Sequence, residues 1–109
     1  MKEIKAIFQR FMVDKVIDSL HEIPGLPGVT LSMVHGFQRN DAGGERPDLD
    51  AEAQMAKIEV VIPDELVEAV VDTIARAART GRSGDGKIFV LDVADAVKIR
   101  TGIRGEGAL

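Results

Sequence analysis

The sequence predicts a single α+β domain in which a four-stranded antiparallel sheet carries two helices on one face. With 109 residues, the chain is long enough for one hydrophobic core but not for two. Apolar residues make up 45% and charged residues 29%, as in ordinary globular domains. The hydrophobic period alternates between two and 3.6 residues in the order βαββαβ. Two successive β-α-β units are typical of the ferredoxin-like arrangement, and we expect it over residues 1–109.

The first β-α-β unit is predicted over residues 2–37. Alternation of Ile4, Ala6 and Phe8 with polar neighbours predicts a strand over residues 2–8. A helix follows, because its apolar residues recur at helical spacing: Val13, Val16, Ile17 and Leu20. Two prolines and two glycines in residues 24–28 end this helix, and alternation over residues 29–37 predicts the second strand.

The second unit is predicted over residues 56–93. A strand over 56–62 precedes Pro63, which opens a helix that runs to about residue 79. The apolar stripe of this helix consists of Val67, Val70, Val71, Ile74 and Ala78. The strand predicted over 87–93 is apolar on both faces, so we expect it in the centre of the sheet. Residues 38–55 are predicted to be a mobile loop and residues 101–109 a loose tail.

The face of the sheet opposite the helices has no predicted cover. The apolar residues expected on it are Ile7, Val34, Val61, Phe89 and Leu91. We expect the chain to self-associate through this face. The alternative is that the long loop folds back over it.

Composition excludes several classes of protein. The formal charge of -4 and the absence of Trp and Tyr argue against nucleic-acid binding. The absence of Cys excludes disulfides, and no apolar run is long enough to insert into a membrane. No catalytic residue set is evident, and His21 and His35 have no second metal ligand within reach. We therefore expect a cytoplasmic protein that is not an enzyme and has no metal site.

A glycine-rich loop before the last strand carries the strongest chemical signal. Gly81 to Lys87 matches the phosphate-binding pattern G-x-x-x-x-G-K. However, Ile88 stands where Ser or Thr would hold Mg²⁺, and the loop precedes a strand rather than a helix. Three glycines with Arg82 and Lys87 still suit an anion-binding nest. An ordinary turn between a helix and a strand is the alternative.

A second group of cations lies close to the C-terminus. Lys98 and Arg100 are two residues apart, so that in an extended segment both would point the same way and could clamp a polyphosphate. A solvated basic edge is the alternative.

The chain resembles the PII signal-transduction proteins, the nitrogen regulatory P-II family. The resemblance is carried by TGRSGDGKIFV at residues 80–90 and continues through residues 92–93 and 99–102. It is also visible in residues 2–14, 28–30, 36–37 and 58–64. It implies a ferredoxin-like homotrimer with ATP or ADP bound in clefts between subunits. It further implies that the central loop contacts a partner protein, often a membrane transporter.

The resemblance also implies which residues bind the nucleotide. The phosphates would be held by Gly84, Asp85, Gly86 and Lys87, with Lys98 and Arg100 reaching in from the neighbouring subunit. The adenine side would be lined by Gly28, Thr30, Gly36 and Val61. Gln38 would lie beside the cleft, where the family usually has Gly, and Arg39 would approach the phosphates from the base of the loop.

Two departures from the family concern 2-oxoglutarate. Asn40 stands where sensors of this oxo-acid carry a Gln that helps to hold Mg²⁺, and Met55 stands where they carry a Lys. Lys57 could replace that Lys only with a change of register. We therefore expect weak or absent 2-oxoglutarate binding, and whether Mg²⁺ accompanies the nucleotide stays open.

The central loop also limits how the protein can be switched. Residues 38–55 contain no Tyr, Ser or Thr, so neither uridylylation nor phosphorylation can occur there. Residues 23–28 resemble the family branch associated with heavy-metal efflux systems, which suggests such a transporter as partner. The alternative is a sensor of ADP or AMP and bicarbonate in carbon metabolism, acting on carboxysomes or bicarbonate transport.

Overall fold

The computed structural model describes residues 1–37 and 52–109. Its elements are β1 (Lys2–Gln9), α1 (Val13–His21), β2 (Thr30–Phe37), β3 (Glu52–Ile62), α2 (Val67–Ala78) and β4 (Gly86–Asp92). Short 3-10 helices lie at Arg10–Met12, Asp64–Leu66 and Gly105–Ala108. The predicted βαββαβ order and the ferredoxin-like fold are confirmed.

All four strands form one antiparallel sheet in the order β2-β3-β1-β4. β1 lies inside the sheet and pairs with β3 on one side and β4 on the other. Its Ile4 is opposite both Val60 and Val90. β1 therefore joins β4 to the β2–β3 pair.

The prediction that the last strand is central was wrong, because β4 is at an edge of the sheet. Its apolar residues on both faces suggested burial, but Phe89 is 45% exposed and Val90 48%. Within residues 1–37 and 52–109, β4 pairs with β1 alone, and both side chains stay about half exposed. An apolar edge strand of this kind is a surface that can pair or pack with another chain.

The hydrophobic core lies between the helices and one face of the sheet. Ile4, Ala6 and Phe8 alternate along β1, and all three are buried on that face. The helices cover them with residues at helical spacing, which include Val16 and Leu20 in α1. In α2 the buried residues are Val70, Ile74, Ala77 and Ala78. The predicted helical stripes are thus the packed faces, with Ala77 as an addition.

The boundaries of two elements differ from the prediction. β3 begins at Glu52 rather than at residue 56, so the end of the predicted loop 38–55 belongs to the sheet. The helix expected to start at Pro63 begins with the 3-10 turn Asp64–Leu66. The predictions that concern residues 38–51 lie outside the described residues.

The C-terminal residues, which were expected to be loose, make local hydrogen bonds. Val97 and Arg104 form an isolated antiparallel bridge, and the Lys98 amide donates to the carbonyl of Ile103 at 2.8 Å. Arg104 also pairs with Asp95 at 3.1 Å. Among the helices in residues 1–37 and 52–109, none combines the length and the apolar character that crossing a bilayer requires.

Candidate functional site

The glycine-rich loop between α2 and β4 is held in shape by one of its own carboxylates. The Asp85 side chain accepts hydrogen bonds from the backbone amides of Thr80 and Gly81, each at 2.9 Å, and from the Thr80 hydroxyl. These bonds favour the charged carboxylate. The hydroxyl of Thr80 and then its amide hold the pKa of Asp85 below its ordinary value. The loop is therefore closed by an ionised Asp85 at neutral pH.

Strand β1 fixes the other end of this loop. The Gln9 side chain donates from Nε2 to the carbonyl oxygen of Gly84 at 2.7 Å. At Gly86 the backbone has a φ of +109° and passes so close to β1 that an added Cβ would lie 1.8 Å from the Ile7 carbonyl oxygen. Only glycine fits both requirements.

These contacts decide which groups of the loop can meet an anion. The amides of Thr80 and Gly81 are taken by Asp85, and the amide of Arg82 donates to the Thr80 hydroxyl at 3.3 Å. An anion would therefore meet the amides of residues 83–86 and the ammonium of Lys87. Lys87 has no ion-pair partner in the part of the chain that the structure describes. The Asp85 carboxylate closes the loop, so that only the backbone amide of Asp85 is left for a ligand.

The predicted adenine-side residues lie away from this loop within one chain. Thr30 and Gly36 are on β2, at one edge of the sheet, whereas the loop and Lys87 are at the opposite edge. Three strand spacings of about 4.8 Å separate the two edges, which is roughly 14 Å. Val61 lies on β3 between them, half-buried. Gly28 precedes β2 and is exposed. A single chain thus does not bring these residues together.

The two cations of the C-terminal segment follow β4, which starts at the glycine-rich loop and runs for seven residues from Gly86 to Asp92, about 20 Å. Both are exposed. The expected extended segment was wrong, because the amides of Thr101 and Gly102 both donate to the carbonyl of Lys98, which makes a tight turn. Two-residue spacing therefore does not align these side chains.

Gly36 and Met55 occupy the entrance to the central segment. Met55 is 4% exposed, and a Cβ added to Gly36 would lie 2.9 Å from its Cγ. Met55 thus packs over Gly36 and fills this position with an uncharged side chain. Lys57, two residues further along β3, lies 3.4 Å from a carboxylate oxygen of Glu59. Gln38, Arg39 and Asn40 are outside the described residues.

The sheet face opposite the helices carries both apolar and charged residues. The register places all five predicted apolar residues on it: Ile7, Val34, Val61, Phe89 and Leu91. Glu3, Lys5, Lys57 and Glu59 lie among them. A hydrogen bond with the Glu3 side chain, and then the charges of Lys57 and Lys5, hold the pKa of Glu59 below its ordinary value. This face therefore combines apolar contact area with charges that can fix a register.

A cavity of about 260 Å³ lies beside the glycine-rich loop, between α2 and strands β1 and β4. Its lining includes Ala6, Phe8, Ile74 and Ile88 from the core side, with Arg79 and Asp85 beside the loop. Lys87 is opposite Ile7 in the register, and its side chain belongs to the face away from the helices. This cavity is therefore not the place where the Lys87 ammonium would meet a phosphate.

Three contacts at this end of the molecule were not found from the sequence. They are the closure of the loop by Asp85, the bond from Gln9 to Gly84, and a bond of 2.9 Å from Arg10 Nη1 to Gln54 Oε1. The first had a local signal, since an Asp five residues after Thr80 in a glycine-rich turn can accept from backbone amides. The other two join residues 75 and 44 positions apart, and no local pattern indicates them.

No group of three His, Asp or Glu side chains that could hold a metal ion lies within residues 1–37 and 52–109. The acidic residues of the central loop, which include Asp41, Glu45 and Asp48, lie outside those ranges.

Comparison with known proteins agrees with this fold and this loop. The sequence profile of the family described as "Nitrogen regulatory protein P-II" matches residues 1–103. The chain is 44% identical over 114 residues to Nitrogen regulatory protein P-II 1 of Escherichia coli K12, with all of both chains covered. It is 45% identical over 114 residues to Nitrogen regulatory protein P-II of Rhodospirillum rubrum, again with full coverage.

A solved structure is also similar to the chain. The crystal structure of Arabidopsis thaliana PII bound to citrate is 40% identical in sequence, with a TM-score of 0.83. The match covers 99% of this chain and 91% of that one. Sequence and structure agree over nearly the whole length, and the chain therefore belongs to the nitrogen regulatory protein P-II family, whose members are signal-transduction regulators rather than enzymes.

Proposed function

We propose that this protein is a trimeric sensor of adenine nucleotides that regulates a protein partner through residues 38–55. The observation that carries the proposal is that hydrogen bonds within the chain fix the loop of residues 80–86. Asp85 and Gln9 hold it before any ligand arrives, so little ordering entropy is lost when an anion binds. ATP or ADP supplies the phosphates that suit the amides of residues 83–86 and Lys87.

The separation of the predicted binding residues supports a site between subunits. Within a chain, the loop at the β4 edge is separated from Thr30 and Gly36 at the β2 edge by the intervening strands β3 and β1. In a closed ring of identical chains the β4 edge of one subunit can face the β2 edge of the next. Lys98 and Arg100 are exposed and are then available to a neighbour.

The uncovered sheet face provides the surface for this assembly. Phe89 is 45% exposed and Leu91 38%, and both lie on the face that holds Ile7 and Val61. Burying such a patch removes apolar area from water, and this stabilises the assembly by about 25 cal/mol per Å². The charges of Glu3, Lys5, Lys57 and Glu59 on the same face would select one orientation of the subunits.

The second effector is not expected to be 2-oxoglutarate. The position of the family's carboxylate-binding Lys is taken by Met55, which is buried and packs over Gly36. Lys57 is engaged by Glu59 at 3.4 Å. A dicarboxylate would therefore have no free cation at this position. Bicarbonate, together with ADP or AMP, is the alternative effector to be tested beside it.

The partner is proposed to be a protein that receives residues 38–55, with a membrane transporter such as a heavy-metal efflux system as the favoured class. These residues contain no Tyr, Ser or Thr, so ligand binding rather than covalent modification would control them. Because Gly36 and Ala53 are opposite each other in the sheet, both ends of the segment start from one fixed place. A cytoplasmic location follows from this role.

Calorimetric titration with ATP, ADP and AMP tests nucleotide binding. We expect binding to the unmodified protein and a loss of tenfold or more in Lys87→Ala, since a bond to a charged group contributes about 1.5–3 kcal/mol. Lys15→Ala, which removes an exposed lysine on α1, is the matched control and should bind within about twofold of the unmodified protein. If none of the three nucleotides binds, the proposal is contradicted.

Further arms of the same titration address the second effector and the assembly. 2-Oxoglutarate and bicarbonate are added to nucleotide-loaded protein. No heat is expected from 2-oxoglutarate, and heat from bicarbonate would support the alternative effector. Light scattering gives the mass of the particle, and a monomer at micromolar concentration would contradict the trimer. Affinity capture with and without nucleotide identifies the partner, and removal of residues 40–50 should abolish capture.

A further inference from the structure

Two consecutive residues at the end of β1 contact two different parts of the candidate site. Gln9 donates to the carbonyl oxygen of Gly84 in the glycine-rich loop at 2.7 Å, in a partly buried position. Arg10 donates from Nη1 to Oε1 of Gln54 in β3 at 2.9 Å, on the surface. The loop and β3 lie on opposite sides of β1. The dipeptide therefore connects two elements that do not pair with each other in the sheet.

The end of β1 is a firm base for both contacts. β1 is paired on both sides almost to its last residue, with Phe8 opposite Gly86 in β4 and Gln9 opposite Met55 in β3. Phe8 is 2% exposed and anchors the strand in the core. Directly after Gln9 the chain turns into the 3-10 helix Arg10–Met12. The backbone at Gln9 is therefore held by the strands on either side, and the Gln9 and Arg10 side chains extend from this fixed point.

Gln54 is close to the place where the central segment enters the sheet. It is three residues after residue 51, about 10 Å along a strand, and it is opposite His35 of β2 in the register. Glu52–Gln54 is also the part of β3 that the hydrophobic pattern did not predict, because it has no alternating apolar residues. Pairing with β2 holds the backbone of this part of β3, and the bond from Arg10 is an additional side-chain contact to it from the β1 side.

We propose that Gln9 and Arg10 are positioning residues that couple the conformation of the glycine-rich loop to the start of β3, and so to the central segment. The natural trigger, occupation of the loop by a nucleotide, rests on the proposed function, whereas the coupling itself does not. Each contact is a single hydrogen bond, so its loss should change the local opening equilibrium by about threefold to tenfold.

Amide hydrogen exchange on the full-length protein tests the coupling without any ligand, because it measures local opening at each segment. Asp85→Ala removes the acceptor that closes the loop, and Asp85→Asn is a milder second variant if the first fails to fold. We expect either change to speed exchange at residues 53–55 about threefold or more. In an Arg10→Met or Gln9→Met background, the same change at Asp85 should raise the exchange rate at residues 53–55 by no more than about 1.5-fold.

Two comparison variants make the result specific. Gln54→Met removes the same bond as Arg10→Met from its other end and should have the same effect. Arg104→Met removes an exposed Arg contact of similar type, that with Asp95, at a distant place, and the response of residues 53–55 to the Asp85 change should persist. An equal response in every background, or none in any, would overturn the coupling.

The same measurement with added ATP separates this inference from the proposed function. Slower exchange in residues 81–86 with altered exchange at 53–55, lost in Arg10→Met, supports both. Slower exchange in the loop alone contradicts the coupling and leaves nucleotide binding intact. No change in the loop contradicts nucleotide binding, while the Asp85 variants still decide the coupling.

Discussion

The close approach of β4 to β1 at Gly86 predicts that Gly86→Ala destabilises the protein severely. A Cβ at this position would lie 1.8 Å from the carbonyl oxygen of Ile7 and 2.9 Å from the Cα of Phe8. Both atoms belong to the backbone of the central strand, which cannot rotate away as the end of a side chain can. The substitution must therefore displace the start of β4 from β1.

The size of the effect follows from two separate costs. Placing an L-residue at a positive φ costs about 1–2 kcal/mol, and Gly86 has a φ of +109°. Overpacking against a rigid neighbour adds about 1–3 kcal/mol or more. We expect a total of about 2–5 kcal/mol. Since a domain of this size loses about 4–8 °C per kcal/mol, the melting temperature should fall by about 8 °C or more.

Two other glycines separate these costs. Gly81 has a φ of +86° but no atom within 4 Å of an added Cβ, so Gly81→Ala should lose only the conformational part. Gly28 has open space and no positive φ, and Gly28→Ala should change stability by less than about 0.5 kcal/mol. The free energies of unfolding are measured by urea denaturation at one fixed protein concentration, since subunit association would make them concentration-dependent.

The relative losses of stability in the three variants test the two arguments separately. If Gly86→Ala loses no more stability than Gly81→Ala, the steric argument is refuted. If Gly81→Ala loses no more than Gly28→Ala, the conformational argument is refuted.

Further substitutions test three other parts of the structure by the same denaturation assay. Gly36→Ala should cost about 1 kcal/mol or less, because the contact at 2.9 Å is with the flexible Met55 side chain, and Met55→Ala should reduce that cost; additive losses would contradict the contact. Ile58→Ala should lose about 2–5 kcal/mol and Ile58→Val only about 0.5–1.5, because this residue is fully buried; equal losses would contradict the packing. Asp85→Asn should be less stable than the unmodified protein at neutral pH. The folded-state pKa of Asp85 lies below its ordinary value, so the advantage is fully present above the ordinary pKa of about 4 and is lost as the pH falls through the lowered pKa; a difference that does not shrink as the pH is lowered below 4 would contradict the role of its charge.

Hydrophobic periodicity was sufficient to predict the elements of this fold. The alternation of Ile4, Ala6 and Phe8 and the helical spacing of Val16 and Leu20 both correspond to buried faces. Periodicity failed at the first residues of β3. Glu52, Ala53 and Gln54 have no alternating pattern, and they are strand because β2 supplies the pairing partners.

The position of β4 in the sheet could not be predicted from its composition. Apolar residues on both faces usually indicate a central strand. Here Phe89, Val90 and Leu91 are exposed in a single chain. Their apolar side chains form a surface that another chain can cover. A pattern within one sequence does not distinguish burial inside a chain from burial between chains.

The candidate site was predictable in its residue types but not in its contacts. The glycines and Lys87 indicated an anion-binding loop. The bond from Gln9 to Gly84 and the packing of Met55 over Gly36 depend on the antiparallel register, which brings distant residues together. The role of the Asp85 carboxylate differs for a local reason, since the amides of Thr80 and Gly81, four to five residues earlier in the same loop, donate to it.

The central place of β1 in the sheet has a consequence for how the chain folds during synthesis. β1 is the first strand to leave the ribosome, but its partner β4 is the last, and Lys2 is paired with Asp92 across 90 positions. The β1–β3 pair can form earlier, whereas the edge beside β1 stays open until the final residues of β4 emerge. Contacts of such long sequence separation fold slowly, so the nascent chain would present an unpaired β1 edge to chaperones for most of its synthesis.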